Sequence, residues 1–421
     1  MDESNLTQSV KKFHAAVLDG NVAKVKALLT STQINVDEPD EDGMTALLQA
    51  CYRGNVEIAQ ILVDSGANVN WSKHKQGYTA LMFAALSGKL EIVEFLLSCG
   101  AKTEVTNCLK RTAAEMASFV GNHFATALIN TFIEKEELFQ YTRKKASTNL
   151  YLSNDLIEPL HKLVTRLNFS PVKTFMYLSC TSGKPLLDKW KNVSSVLEDL
   201  AGQYFTPHRT HEPIAIKLHL IGASVKRAGE FVEKEINDED KKANNVIVLE
   251  PLIKHFLRGT DPHGLPKGQE VFLRKSLVSF GHTESTLWRQ TVTQVGSVEP
   301  GEAPTALSIL ENCINGLSPF SRSCPREGVI SEPCATCSDM AGYSAAVSVK
   351  WCSRCHEVAY CSVACQKMHW FTHKKYCPIL QEHHKSVSES GAKKDKPSSE
   401  EISKIQEEVT EFLQQQKLHG V

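Results

Sequence analysis

The chain of 421 residues contains no run of 18 apolar residues, so nothing in it reads as a membrane-crossing helix. Its first residues, MDESNLTQSVKKF, lack the apolar core of a secretory signal, and a cytoplasmic location is expected. Charge of one sign is missing as well: 47 Lys and Arg face 48 Asp and Glu, and a net charge of −1 gives no electrostatic pull on a polyanion. No Gly-x-Gly-x-x-Gly, His-Glu-x-x-His or Gly-x-Ser-x-Gly occurs. Ser182-Gly183-Lys184 lacks the upstream glycine of a phosphate loop and runs into Pro185. Cys51, Cys99, Cys108, Cys180, Cys313 and Cys324 are scattered without clamp spacing, as small apolar side chains are in a reducing compartment, and none reads as an activated nucleophile. With 42% hydrophobic and 23% charged residues, the composition is that of a soluble globular protein of about two to four domains.

What is abundant is cysteine in one place. Seven of the thirteen cysteines lie between Cys334 and Cys377, as Cys334-x2-Cys337, Cys352-x2-Cys355, Cys361-x3-Cys365 and His373-x3-Cys377. A Cys-x2-Cys turn, or one helical turn carrying Cys-x3-Cys or His-x3-Cys, presents two soft ligands together, and zinc takes four in a tetrahedron. Four clamps therefore hold two Zn2+. A segment this short rarely folds unaided, so metal is expected to supply on the order of 10 kcal/mol of folding free energy per site. Residues 362–376 read as helix, which separates Cys365 from His373 by about 12 Å along the axis. The clamps are therefore expected to interleave: Cys334, Cys337, Cys361 and Cys365 on one ion, and Cys352, Cys355, His373 and Cys377 on the other. Sequential pairing is the alternative.

The run Cys355-x5-Cys361-x3-Cys365-x7-His373-x3-Cys377, with Tyr360, Gln366 and Trp370, resembles the MYND zinc finger, a cross-braced family. A 14-residue insert between Cys337 and Cys352 departs from the family and reads as a hairpin. His356 and His369 adjoin the ligands, but structural zinc sites are closed at four, so both are read as ordinary polar side chains. Lys350, Arg354, Lys367, Lys374 and Lys375 against Asp339 and Glu357 give the finger +3; seven thiolates and two Zn2+ add −3, leaving zero. Nucleic acid is thus not the expected partner. The resemblance implies docking of proline-rich peptide segments at Gln366 and Trp370, where an exposed aromatic stacks on an extended proline strand. The plainer alternative is that Trp370 caps the small core.

A second pattern recurs in the first third. Gly43-Met44-Thr45-Ala46-Leu47, Gly77-Tyr78-Thr79-Ala80-Leu81 and Lys110-Arg111-Thr112-Ala113-Ala114 are offset by 34 and 33 residues, and Gly20, Gly54, Gly88 and Gly121 keep the same step. After each of the first three glycines, apolar residues follow at helical spacing, as in Val56, Ile58, Leu62 and Val63. Such a helix-turn-helix period resembles ankyrin repeats, with the best units at about 43–74 and 77–108, flanking degenerate units, and the repeat region spanning 1–133. Leu48 and Met82 stand where the repeat signature has histidine, which puts the usual bonds between units in doubt. The family binds proteins, and the tip carrying Trp71 and Tyr78 among Lys73, His74 and Lys75 is a candidate binding surface. Packing of Trp71 on its own neighbours is the alternative.

Residues 134–316 read as a helical middle region, with Pro159-Leu160-His161 a candidate start for one further ankyrin-like unit near 159–188. Residues 317–333 read as a linker and 385–397 as a disordered one. Residues 398–418 read as an amphipathic helix with Ile402, Ile405, Val409, Phe412 and Leu413 on one face. The expected fold class is mainly α: an ankyrin-repeat solenoid, a helical middle region and a small two-zinc finger. That order is similar to the ankyrin repeat and MYND zinc-finger domain-containing protein 2 family, which implies a non-catalytic adaptor that traffics signalling proteins to the cilium. The alternative is a MYND-containing lysine methyltransferase or transcriptional co-regulator. Such methyltransferases need an Asn-His-Ser-Cys-like cofactor motif, and Asn122-His123-Phe124-Ala125 is only an echo of it.

Overall fold

The computed structural model describes residues 3–31, 34–143, 150–205, 211–237, 249–259, 266–315, 333–340 and 349–390. The helix expected at 398–418, the hairpin expected in the insert and nearly all of the 317–333 linker lie outside the described residues.

Four helix pairs open the chain: α1 (Glu3–Leu18) and α2 (Val22–Ser31), α3 (Ala46–Arg53) and α4 (Val56–Asp64), α5 (Ala80–Ser87) and α6 (Leu90–Ser98), and α7 (Ala113–Phe119) and α8 (His123–Asn130). Threonine starts the inner helices α3, α5 and α7, since the amides of Leu48, Met82 and Glu115 donate to the hydroxyls of Thr45, Thr79 and Thr112. Each such cap contributes about 1 kcal/mol. Gly54 and Gly88 end α3 and α5 at φ 68° and 70°, a left-handed turn that a side chain resists. A Cβ on Gly54 would also lie 2.4 Å from the Lys89 side chain, which would have to swing aside.

The inner helices pack side by side in order, as do the outer ones, around a core that includes Leu47, Leu48, Leu62, Leu81, Met82, Ile92 and Leu96. Leu48 and Met82, in the place of histidine, are wholly buried, and other side chains tie the units together. Asp37 accepts from the Asn68 amide, Asn70 donates to the Gly100 carbonyl and accepts from the Lys102 amide, and Asn122 donates to the Ala85 and Leu86 carbonyls. Asn122, the start of the methyltransferase-like echo, is therefore a strut between repeats.

A second core runs from Ile133 to Ile314. It gathers α9 (Lys135–Phe139), α10 (Asn154–Val164), α11 (Pro171–Leu178), α12 (Lys184–Asp188), α13 (Trp190–Gln203), α14 (Glu212–Asn237), α15 (Glu250–Leu257), α16 (Lys267–Val278), α17 (Thr286–Gly296) and α18 (Ala306–Ile314). The 26-residue α14 is its spine, about 39 Å long, and packs against α11, α12, α13, α16, α17 and α18. Lys217, in the second turn of α14, is fully buried with its amine 3.3 Å from the Thr131 hydroxyl at the end of α8. Burial pushes that amine down to about 7. The expected further repeat near 159–188 has a different start from the other units: Pro159 lies inside α10, five residues past its first residue, where the repeat signature needs proline in the first turn.

The zinc-ligand segment follows as β1 (Lys350–Trp351) paired antiparallel with β2 (Ala359–Tyr360), then α19 (Val363–Ser390). Residues 385–390, expected as the start of a disordered linker, continue this helix instead. Pro378 does not stop it.

Candidate metal centre and binding faces

Both Cys-x2-Cys turns close in the same way. The amide of Ser338 donates to the Cys334 carbonyl and that of His356 to the Cys352 carbonyl, at 2.8 and 2.9 Å. Ser338 and His356 adopt φ 62° and 55°, so the residue after each second cysteine takes the left-handed turn that folds the pair around one point. The turn from Ser362 into α19 supplies the other ligands, with the Ser362 hydroxyl accepting from the Cys365 amide.

The structure interleaves the clamps. Cys334, Cys337, Cys361 and Cys365 converge on one point, and Cys352, Cys355, His373 and Cys377 on another, with the four ligand atoms of each set within 4.8 Å of one another. A zinc tetrahedron with bonds of about 2.3 Å has sulfur-sulfur edges of about 3.8 Å. The pairs Cys337–Cys361, Cys361–Cys365 and Cys337–Cys365 lie 3.5, 3.5 and 3.8 Å apart, and Cys355 Sγ is 3.7 Å from His373 Nε2. The electrostatics agree with the geometry. Hydrogen bonds from Cys337 and Cys365 pull the Cys334 thiol far down, while those with Cys334 and Cys365 push Cys337 up. Four thiolates this close cannot coexist without a cation, and the two donor sets fit two Zn2+. Burial lowers His373, as suits a neutral imidazole ligand.

His369, one turn before His373, is not a ligand. Its Nδ1 shares a hydrogen bond with the Tyr360 hydroxyl over 3.0 Å and its ring stacks on His373, and burial with that neighbour pushes it down to about 4. His356 stands 5.4 Å from the His384 ring, and His384 bonds Glu357 over 2.7 Å.

The finger is clasped to the middle region. Asn168 donates to the Cys337 carbonyl and to Asp339, both over 2.7 Å, the Ser170 hydroxyl donates to the same carbonyl, and Lys173 pairs with Asp339. Ser170 also caps α11, so one helix end holds one zinc turn. Met176 touches both cores, and Met368 and Phe371 of α19 pack on the middle one.

The finger matches the MYND finger family over residues 334–377. It is a MYND finger. Residues 13–107 match three copies of the ankyrin repeat. Most of the chain is similar to Dauer abnormal formation protein 25 of Caenorhabditis elegans, 27% identical over 368 residues that cover 86% of this chain and 89% of that one. Over the repeats alone it is 37% identical across 71 residues to ankyrin repeat, SAM and basic leucine zipper domain-containing protein 1 of Saimiri boliviensis boliviensis, 17% of this chain and 15% of that one. It is 40% identical across 50 residues to serine/threonine-protein kinase TNNI3K of Mus musculus, 12% of this chain and 6% of that one. Ankyrin repeats and MYND fingers are protein-interaction modules, typically non-catalytic, and no described helix is long and apolar enough to cross a membrane.

Of the candidate binding residues, Trp370 is 40% exposed on α19, edge-on to the His373 ring, with Gln366 half-buried one turn before it. Trp71 and Tyr78 are half-buried against the repeat core, Trp71 under Lys73 and Tyr78 stacked on Phe83. The more open rings are Tyr52 at 56% and Phe119 at 75%, which sequence reasoning missed. A signal was present, because each follows its helix-starting threonine by seven residues. Sequence reasoning also missed the shared tip geometry: Asp40, His74 and Asn107 each accept from the amides two and four residues on. His74 can do so only when neutral, and burial lowers its pKa accordingly.

One arrangement resembles a catalytic triad. The Ser279 hydroxyl is 3.3 Å from His219 Nε2, and His219 Nδ1 is 2.8 Å from Glu198. Nε2 is closer, at 2.8 Å, to the Ser276 carbonyl, which only accepts, so that nitrogen carries a proton and cannot take one from Ser279. The contacts with Glu198 and Ser276 hold an imidazolium that joins α13, α14 and α16.

Proposed function

We propose that this chain is a non-catalytic adaptor in which the repeat stack and the zinc finger hold separate protein partners. The observation that carries it is the clasp of Asn168, Ser170 and Lys173, which fixes the finger to the middle region, while Lys217 of that same region meets Thr131 at the end of the repeat stack. On the finger, Trp370 with Gln366 receives a proline-rich segment; the exposed indole offers a flat face to an extended strand that has little conformational entropy to lose. On the stack, Tyr52 and Phe119 join the Trp71 and Tyr78 tip as the receiving surface. We extend the reading to delivery of signalling proteins to the cilium from the cytoplasm, which rests on the order of repeats, helical middle and finger.

Proximity labelling in cells tests both surfaces. Trp370→Ala and Phe119→Asp change exposed side chains, and each is expected to lose a different subset of neighbours while zinc content stays at two per chain. If both variants keep every neighbour of the parent, the adaptor reading fails.

A further inference from the structure

Two loop tips meet beside a run of aromatic rings on the repeat stack. Gly43 of the first tip lies so near the second that an added Cβ would stand 3.4 Å from the Lys75 amide and 3.5 Å from the His74 Cα. The first tip is acidic: Asp37, Glu38, Asp40, Glu41 and Asp42 fall within six residues, and the side chains of Glu41 and Asp42 are 85% and 84% exposed. Their pairs with Lys11 and Lys75 are those of solvated side chains, which another cation readily replaces. Burial lowers the pKa of His74, and the Asp40 and Asp42 carboxylates oppose it, so this charge acts at the rings. From His74 the rings continue: it stands 5.6 Å from Phe83, Tyr78 stacks on Phe83, and Tyr52 meets Phe83 edge-on at 5.9 Å. Tyr52 is the exposed one.

Beneath the same tip two buried side chains are half used. Gln49, one turn before Tyr52 on α3, donates from Nε2 to Asp40 over 2.8 Å, while its Oε1 has no hydrogen-bond partner. His14 donates from Nε2 to the Glu38 carbonyl over 3.0 Å, and its Nδ1, an acceptor in the neutral ring, has no partner either. The unfilled positions here are acceptors. At the other end of the inner helices a cation is already in place, since Arg111 lies 5.4 Å over the Phe119 ring. No cation covers Tyr52 among the described residues.

We propose that this corner of the stack receives an arginine of a partner protein, its guanidinium against the Tyr52 ring and its N–H groups on the carboxylates of the first tip and the Gln49 oxygen. The inference rests on the adaptor reading and deepens it, because it names what the stack's receiving surface selects. Arginine suits the corner better than lysine. Its planar face stacks on an aromatic ring and its rigid fork of donors serves several acceptors at once, whereas an ammonium is a strongly hydrated point charge. The arginine belongs to a longer segment, since Leu86 holds the place of Tyr52 on α5 and Phe119 holds it on α7, which extends the apolar surface away from the tip. Lys110 and Arg111 at that end repel further cations, so the segment lays its arginine over α3 and apolar residues toward α7.

Random dodecapeptides displayed on phage test this by selection on the immobilised full, zinc-loaded chain and depletion on its Tyr52→Ala form. Enriched peptides are expected to carry an arginine with two or more apolar residues on one side, and their affinities are read by fluorescence anisotropy. Exchanging that arginine for citrulline, which keeps the shape without the charge, is expected to weaken binding about tenfold, and exchanging it for lysine about threefold. Tyr52→Leu, which keeps apolar bulk on the helix, and the pair Glu41→Gln and Asp42→Asn are each expected to cost about threefold. Failure to enrich any peptide over the Tyr52→Ala chain, enriched peptides without arginine, or equal affinities of the arginine and citrulline forms overturns the proposal. The adaptor reading is separable from it: if Phe119→Asp still strips neighbours in the labelling experiment while citrulline serves as well as arginine, the surface is real and arginine is not what it selects.

Discussion

The repeat stack and the zinc finger are each built from units too small to fold alone, and they meet that shortage by opposite means. A helix pair such as α3 and α4 borrows its core from the pairs on either side, so Leu47, Leu62, Leu81 and Ile92 share one continuous apolar seam. Among its described residues the finger has no such seam. Its buried cluster consists largely of cysteine with Tyr360, and the attraction of two cations for seven thiolates replaces apolar area. Stability in the stack is therefore spread over many positions, each contributing a little, whereas in the finger it resides in two points.

The most forceful way to break this contrast is to remove the metal. Chelation at neutral pH is expected to cost the finger on the order of 10 kcal/mol per ion, enough to unfold residues 334–377, while the stack is untouched. Hydrogen exchange by mass spectrometry checks this, with fast exchange expected in the finger and unchanged protection over 46–98; a finger that stayed protected after both ions were gone would put its stability elsewhere. A smaller blow falls on the stack. Leu81→Ala, at a buried position on α5, is expected to cost about 2–5 kcal/mol in the stack's denaturation while two zinc ions remain bound by elemental analysis. Loss of metal in that variant would mean that the two regions are not independent. The finest probe lies in the middle region that joins them. His219 has a raised pKa: burial opposes its charge, but the Glu198 carboxylate and the Ser276 carbonyl outweigh that. Its contribution is therefore complete below the unfolded value of about 6.5 and disappears as pH rises through the folded one. Compared with the parent, His219→Gln should lose about 1 kcal/mol of urea stability near pH 5.5 and little near pH 9; an equal loss at both pH values would show a packing role only.

Sequence alone exposed the two regions unequally. The zinc ligands were legible to the residue, including their interleaving, because clamp spacing and helix rise are local quantities that fix which pairs can share an ion. The repeats were legible through Thr45, Thr79 and Thr112 and the glycine step, since a capped helix advertises its start. The start of α18 carried the same sign at Thr305-Ala306-Leu307 and went unread, because no glycine-spaced partner accompanied it. Helix α17 hides for another reason: Thr286, Thr291, Val292 and Thr293 are weak helix formers, and tertiary burial of Thr291 and Val295 overrides them. No local signal could have shown the clasp on the finger, because Asn168 and the carbonyl of Cys337 are 169 residues apart and meet only once the middle region has folded.

That clasp has a mechanical consequence. A zinc module on a slack tether would let its cargo wander, whereas one bolted through a helix cap to a long spine points its exposed indole in one direction. Two guests seated on such a frame would meet at a constant bearing, so the molecule would act as a jig rather than a leash.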